Sequence, residues 1–204
     1  MSKYDAKAAG WTEGAYADAR SYLEHRARLV VELGPSLAAG DVVCDLACGD
    51  GGLGEHLLAR GLAYVGVDSS EAMVTAARRR LDGRAEIVQA DLNEFVPAKP
   101  VAVVTCFRAI YYARDRRAFF ERVSAFSERK LVFDLNPRQF ALEDVLADLR
   151  AVGVAHAELR PFFVPQRIAL PNPLAAAFRA AERSGRLARL ALRFRFTYLV
   201  AAWR

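Results

Sequence analysis

VVCDLACGDGGLGEHLLARGLAYVGVD, residues 42–68, sets three glycines, Gly49, Gly51 and Gly54, between two apolar runs. The first run reads as a buried strand, the stretch after the glycines as a helix, and Asp68 closes the second run. The order strand, G-x-G-x-x-G, helix, strand, acid is the outline of a dinucleotide-binding fingerprint. Glycines after a strand let the backbone turn tightly and let a ligand come close. Gly54 is expected to open the helix, whose amide end attracts negative charge. Asp45 conflicts with that reading. It ends the first run four residues before Gly49, and a carboxylate there repels a pyrophosphate lying over the turn. It suits a ligand that carries positive charge.

Outward from this stretch, apolar β-branched runs alternate with helical patterns. Strands are expected at Val42–Leu46, Ala63–Val67, Ala85–Gln89, Val101–Cys106 and Lys130–Leu135, and helices at Gly54–Arg60, Ser70–Leu81, Asp115–Ser127 and Gln139–Ala151. Ser69 or Ser70 can cap the second of these helices. Arg78, Arg79 and Arg80 fall in its last turn, and Gly83 stops it. Asn136-Pro137 is expected to open the fourth as a cap followed by proline at the first helical position. Near-continuous apolar strands alternating with helices imply βαβ units and a parallel sheet covered on both faces. After residue 151 two extended runs follow, Val154–Val164 and Phe194–Trp203. Between them a proline-containing stretch leads into a helical segment, so residues 165–192 read as a helical insertion before the last strand. The fold class expected is α/β, a Rossmann-like three-layer α/β/α sandwich. Its sheet is mostly parallel and seven-stranded, with an antiparallel C-terminal edge strand, in one domain over residues 1–204.

Composition narrows the class. Hydrophobic residues make up 53% and charged residues 26%, the balance of a globular chain, and no apolar run approaches the ~20 residues that span a bilayer. The first residues lack the apolar core of a secretory signal, so a cytoplasmic location is expected. Cys44, Cys48 and Cys106 sit in or beside apolar runs without histidines at ligand spacing; reduced core thiols are expected and no metal site. The formal charge of +5 rests on 29 basic residues, of which only Lys3, Lys7, Lys99 and Lys130 are lysines. An arginine excess without a clustered patch does not argue for nucleic acid, and none is expected as a partner.

Two ligands fit the glycine turn, a dinucleotide and S-adenosylmethionine. The second has no phosphate and carries a sulfonium and an ammonium, both favourable beside Asp45. Here the residues resemble the class I S-adenosylmethionine-dependent methyltransferases. VVCDLACGDG resembles that family's first motif, YVGVDSS the second, IVQADLNEF the third, VVTCFRAIYY the fourth strand and LVFDLNPR the fifth. The two closing extended runs resemble its antiparallel pair at the sheet edge. The resemblance covers residues 35–204 and implies S-adenosylmethionine as cofactor. It implies cofactor contacts along Asp45, Ala47, Cys48, Gly49 and Gly51. It implies that Asp68, with Ser69 beside it, binds both ribose hydroxyls, that Asp91 takes the adenine amino group, and that the Leu92 amide meets the ring. Met73 can pack on the adenine or belong to the core. Cys106 ends the strand that faces the methionine moiety, and Arg20 is placed to reach its carboxylate by analogy alone.

The acceptor side is less determined. Methyl transfer is an in-line displacement, and a base is needed only if the acceptor must lose a proton. Strand carboxyl ends are where ligands bind in open α/β sheets, so Arg108, Tyr111 and Tyr112 after the fourth strand are the catalytic candidates. A tyrosine can orient or deprotonate an acceptor and Arg108 can grip a carboxylate or phosphate. The competing reading has one tyrosine in the core and Arg108 paired with Asp134. His25, on the N-terminal helix, is a further candidate against a solvated helix face; His56 and His156 are read as outside the site. Tyr4, Trp11, Tyr16 and Tyr22 make residues 1–34 a candidate lid over cofactor and substrate. Arg183, Arg186, Arg189 and Arg193 recur beside Leu187, Leu190 and Phe194. This pattern fits a substrate cap, a homodimer contact, a basic helix on anionic lipid, or a solvated face. The expected activity is methyl transfer to the oxygen, nitrogen or carbon of a small-molecule acceptor. The alternatives are an RNA or protein methyltransferase, a nicotinamide-linked oxidoreductase, and a catalytically silent relative that binds the cofactor.

Overall fold

In a computed structural model, which describes Ala8, residues 10–191 and 197–204, seven strands form one sheet in the order β3-β2-β1-β4-β5-β7-β6. They are β1 (Val42–Leu46), β2 (Ala63–Asp68), β3 (Glu86–Gln89), β4 (Val101–Cys106), β5 (Ser127–Leu135), β6 (His156–Pro161) and β7 (Tyr198–Trp203). Strands β3, β2, β1, β4 and β5 pair in parallel, while β7 runs antiparallel to both β5 and β6. The antiparallel C-terminal strand is thus present, set one place in from the edge, and β6 is outermost. β7 is apolar and nearly all buried, whereas β6 is exposed or half-buried over its first five residues, which fits an inner and an outer position.

Helices α1 (Trp11–Ala15), α2 (Ala19–Glu32), α3 (Gly52–Leu58), α4 (Glu71–Leu81), α5 (Arg116–Phe126), α6 (Leu142–Ala151), α7 (Asn172–Arg183) and α8 (Gly185–Ala191) complete the fold. Two buried apolar clusters flank the sheet. One lies among α2, α3, α4 and the sheet, the other among α5, α6 and the sheet. Parallel strands buried on both faces explain why β1 and β4 are apolar along nearly their whole length.

Two local expectations are corrected. The helix after the glycine turn opens at Gly52, with Gly51 as its N-cap in the left-handed region (φ 78°), and Gly54 lies one turn inside. Gly54 serves packing: a Cβ there would meet the Tyr64 ring at 2.8 Å. Asn136-Pro137 does not open α6. The Asn136 Oδ1 accepts the Arg138 amide at 3.0 Å, closing a local turn, and the helix starts at Leu142. Ser70 caps α4 by accepting the Met73 amide, and Asp115 caps α5 by accepting the Ala118 amide.

The insertion supplies α7 and α8. Tyr4, Arg193 and Phe194 of the patterns above lie outside the described residues, as do the side chains of Leu187 and Arg189; Arg186 and Leu190 are exposed. No helix among the described residues is long and apolar enough to cross a membrane.

Candidate active site

The carboxyl ends of β1, β2, β3 and β4 face a cavity of about 520 Å³, lined also by α1, α2 and the first turn of α4. The turn after β1 makes its floor. Ala47 (φ 61°), Gly49 (φ 58°) and Gly51 (φ 78°) are all left-handed, a run that glycine adopts without steric penalty and alanine does not. Gly51 itself is outside the lining. It packs on Ala77 and Leu81 of α4, while Gly49, Cys48 and Ala47 face the cavity.

Asp45, next to last in β1, has 3% exposure. The Thr105 hydroxyl donates to its Oδ1 and the Tyr64 hydroxyl to its Oδ2, both at 2.7 Å. Burial pushes its carboxyl up to about 6, working against these two hydrogen bonds and the nearby Arg26 charge. Asp68 ends β2. Its Oδ2 accepts the Gly49 amide and its Oδ1 the Ser70 amide, each at 2.9 Å. Burial raises it as well, and the amides pull the other way. An ionised carboxylate has about four acceptor positions. The Ser69 amide also acts on it, and Asp68 keeps acceptor capacity for a ligand hydroxyl. Asp91, after β3, accepts the Asn93 amide and side chain on Oδ1 and Arg114 on Oδ2 at 2.6 Å; the Asn93 amide is the main influence holding it below the usual range. Met73, 3% exposed, Leu92 and Ser69 complete this end.

The other end belongs to β4 and α2. Phe107 and Arg108 follow β4, and a 3-10 turn, Ile110–Tyr112, presents Tyr111 and Tyr112 at the rim with their rings 4.4 Å apart. Both tyrosines are more than two-fifths exposed, so neither is core. Arg108 does approach Asp134, through its backbone: its amide donates to Asp134 Oδ1 at 2.6 Å. The guanidinium instead lies over the Tyr16 ring, 5.7 Å from the centroid. The Asp134 Oδ2 accepts from Arg26, which the sequence reading passed over. The signal was present: Tyr22, Leu23, Arg26, Ala27 and Val30 all fall on the buried face of α2.

Three expected contacts fall elsewhere. His25 is buried against α7, with Nε2 2.6 Å from Glu182 and Nδ1 accepting from Arg28, so it is neither solvated nor in the cavity. Arg20 is exposed and outside the lining. Cys106 is fully buried within the sheet, and the residues after it reach the cavity.

Helix α1 lies at the cavity wall. Thr12 donates its amide and its hydroxyl to the two oxygens of the buried Asp50, at 2.9 and 2.5 Å. Arg80 of α4 joins Asp50, Glu13 and Glu55 around the same point. The indole of Trp11 lies against Gly49. The strap is therefore fastened onto the glycine turn by a buried carboxylate, a contact invisible to local pattern.

Residues 43–128 match the family model described as a methyltransferase domain. Over this stretch, from β1 to the start of β5, the chain is similar to that methyltransferase domain. The chain is 38% identical over 91 residues to the trans-aconitate 2-methyltransferase of Paracidovorax citrulli, covering 43% of this chain and 34% of that protein. Matches to curated relatives span little more than a third of those proteins' own length, 37% in the case of an uncharacterised methyltransferase from Geobacillus sp. (strain WCH70), 33% identical over 78 residues that make up 38% of this chain. Among solved structures, the methyltransferase bound to the Haloferax volcanii Trm112 activator superimposes with a TM-score of 0.69 at 22% identity, covering 100% of this chain and 98% of that one. Magnesium protoporphyrin IX methyltransferase from Synechocystis, solved with bound S-adenosylmethionine, superimposes with a TM-score of 0.61 at 18% identity, covering 92% and 82%. At these identities the superpositions establish the fold, and the family's cofactor is S-adenosylmethionine.

Proposed function

We propose that this methyltransferase moves the methyl group of S-adenosylmethionine to a small-molecule acceptor by in-line displacement. One observation carries the reading. A single cavity runs from an acidic end, made by Asp45, Asp68 and Asp91, to an end lined by Arg26, Arg108, Tyr111 and Tyr112, under the α1 strap. When bound, the cofactor supplies an electrophilic methyl carbon on a positively charged sulfur. Asp68 offers its remaining acceptor capacity to the ribose hydroxyls. Asp91 and the Leu92 amide serve the adenine, with Met73 against it. Asp45 stabilises positive charge near the methionine portion. Its oxygens are already hydrogen-bonded, so it acts through its field. Trp11, Thr12 and Tyr16 keep water from the centre, where much of the acceleration of such a displacement comes from alignment and dryness. The strap leaves a cavity suited to a small acceptor, and the trans-aconitate methyltransferase relative supports the same class.

Titration calorimetry with S-adenosylmethionine, S-adenosylhomocysteine and NADH tests the reading. Micromolar binding of the first two and none of NADH is expected. Asp68→Ala should lose at least tenfold in affinity, since hydrogen bonds to a charged acceptor are worth ~1.5–3 kcal/mol each. Binding of NADH alone, or wild-type affinity in a folded Asp68→Ala variant, overturns it.

A further inference from the structure

The cavity is electrically divided, and its second half is built for an anion. Arg26 is 2% exposed and still lines the cavity. One of its terminal nitrogens, Nη2, donates to the Tyr22 hydroxyl at 3.1 Å and to Asp134 at 3.2 Å, while its Nε–H is buried and has no acceptor. The guanidinium is enclosed by rings, 4.5 Å from the Phe107 centroid, 5.0 Å from Tyr22 and 5.6 Å from Phe162. An arginine taken so far out of water and set in the cavity wall favours a negatively charged partner there.

Arg108 adds a second cation at the same end. It is a non-glycine residue in the left-handed region (φ 55°), held there by its amide bond to Asp134. Strained backbone of this kind persists where the surroundings over-determine it and marks a positioned side chain. Asp134 serves both arginines, one by side chain and one by backbone, so the pair retains one net positive charge. Among the described residues lining the cavity there is no histidine, lysine or glutamate, and its carboxylates Asp45, Asp50, Asp68 and Asp91 are each already engaged by hydrogen bonds.

We infer that the acceptor is a small organic acid with at least two anionic groups. One is gripped by Arg108 and Arg26, and a carboxylate oxygen of the other is the nucleophile, so that the product is a methyl ester. This rests on the methyltransferase reading above and names its acceptor class. In the step, a carboxylate oxygen forms its bond to the methyl carbon as the carbon–sulfur bond breaks. The bonding pair stays on sulfur, one negative and one positive charge are annihilated, and no proton moves. A carboxylate arrives already ionised near neutral pH, which matches an acceptor end marked by the cations Arg26 and Arg108. Acid groups near the sulfonium and basic groups near the acceptor also keep the two ligands from exchanging places.

The test uses the full chain loaded with S-adenosylhomocysteine. Calorimetry measures binding of a tricarboxylate, its monoamide, a phosphate monoester of similar size and a neutral polyol. Methyl transfer to the same panel from labelled S-adenosylmethionine follows, with alkali release of volatile label as the signature of an ester. The expected result is binding of the tricarboxylate, weaker binding of the monoamide, none of the polyol, and base-labile label. Tighter binding of the phosphate monoester with base-labile label on its carboxylate would assign the anchor group to phosphate within the same proposal. Arg108→Gly fits the left-handed backbone, so it should fold and keep wild-type affinity for S-adenosylhomocysteine. It should raise KM for the acid at least tenfold with a smaller change in kcat, and Arg108→Lys should restore part of it. The inference is overturned if neutral acceptors bind or react as well as acids, if no acid binds the loaded protein, if the label is stable to alkali, or if Arg108→Gly leaves KM unchanged. Failure of S-adenosylhomocysteine itself to bind would instead strike the methyltransferase reading.

Discussion

Replacing Asp45 by asparagine should stabilise the empty protein at neutral pH while weakening its hold on the cofactor. The Asp45 carboxyl lies in the sheet's end at 3% exposure, with burial lifting it to about 6 from an ordinary 3.8. In the unfolded chain the proton leaves near 3.8; in the folded protein it stays until about 6. Between these values the unfolded state binds fewer protons, so stability falls as pH rises through the window and stays lowered above it. At ~1.36 kcal/mol per pH unit the full penalty is ~3 kcal/mol. Asparagine has no such penalty and can still meet the Thr105 and Tyr64 hydroxyls. The difference in thermal midpoint between Asp45→Asn and wild type should therefore grow from pH 4 to pH 7. The upper bound is ~6–12 °C, at ~2–4 °C per kcal/mol for a chain of this size. Binding runs the other way. Positive charge beside Asp45 favours its ionised form, so wild-type affinity for S-adenosylmethionine should weaken up to ~tenfold from pH 8 to pH 5. Asp68, raised in the same direction, adds to that slope. The Asn variant should show only the remainder and bind more weakly at pH 8. Thermal melts across the pH series and calorimetry at pH 5 and pH 8 measure both. A melting difference that is flat with pH, or wild-type affinity in the variant at pH 8, refutes the electrostatic role of Asp45.

Thr12→Val removes the hydroxyl that meets buried Asp50 and should loosen α1. Limited proteolysis near residues 10–16 should accelerate, and cofactor release should quicken in stopped-flow, with the sheet's melting transition little changed. Gly54→Ala drives a methyl group into the Tyr64 ring, and overpacking of this kind costs ~1–3 kcal/mol. Because Tyr64 donates to Asp45, denaturant unfolding and cofactor affinity should both suffer. Lys130→Met strips the carbonyls of Val31, Leu33 and Pro35 of a shared donor at the C-terminal end of α2. A loss of ~1–3 kcal/mol is expected in urea denaturation, since buried acceptors left unpaired cost about that much.

The features legible along the chain are periodic or local. Apolar runs of strand length alternating with helical patterns specify a parallel sheet, because a strand buried on both faces cannot spare polar positions. Ser70 and Asp115 announce helix starts because a cap is a contact across three residues. Asp45, Asp68 and Asp91 were legible for a similar reason: each stands at or just past the carboxyl end of a strand, and strand ends converge in this architecture. Tertiary structure decided whatever depends on residues far apart meeting. Arg26 enters the cavity because Asp134 of β5, a separation of 108 residues, anchors it beside the Phe107 ring. His25 leaves the site because Glu182 of α7, 157 residues away, captures its ring. Thr12 latches the strap because Asp50 is turned toward it by the glycine turn, and β7 lies inside β6 because the sheet chooses its neighbours by burial. Desolvation is the common cause. A buried charge must find its partner wherever the chain can bring one, and nothing in the neighbouring residues records where that is.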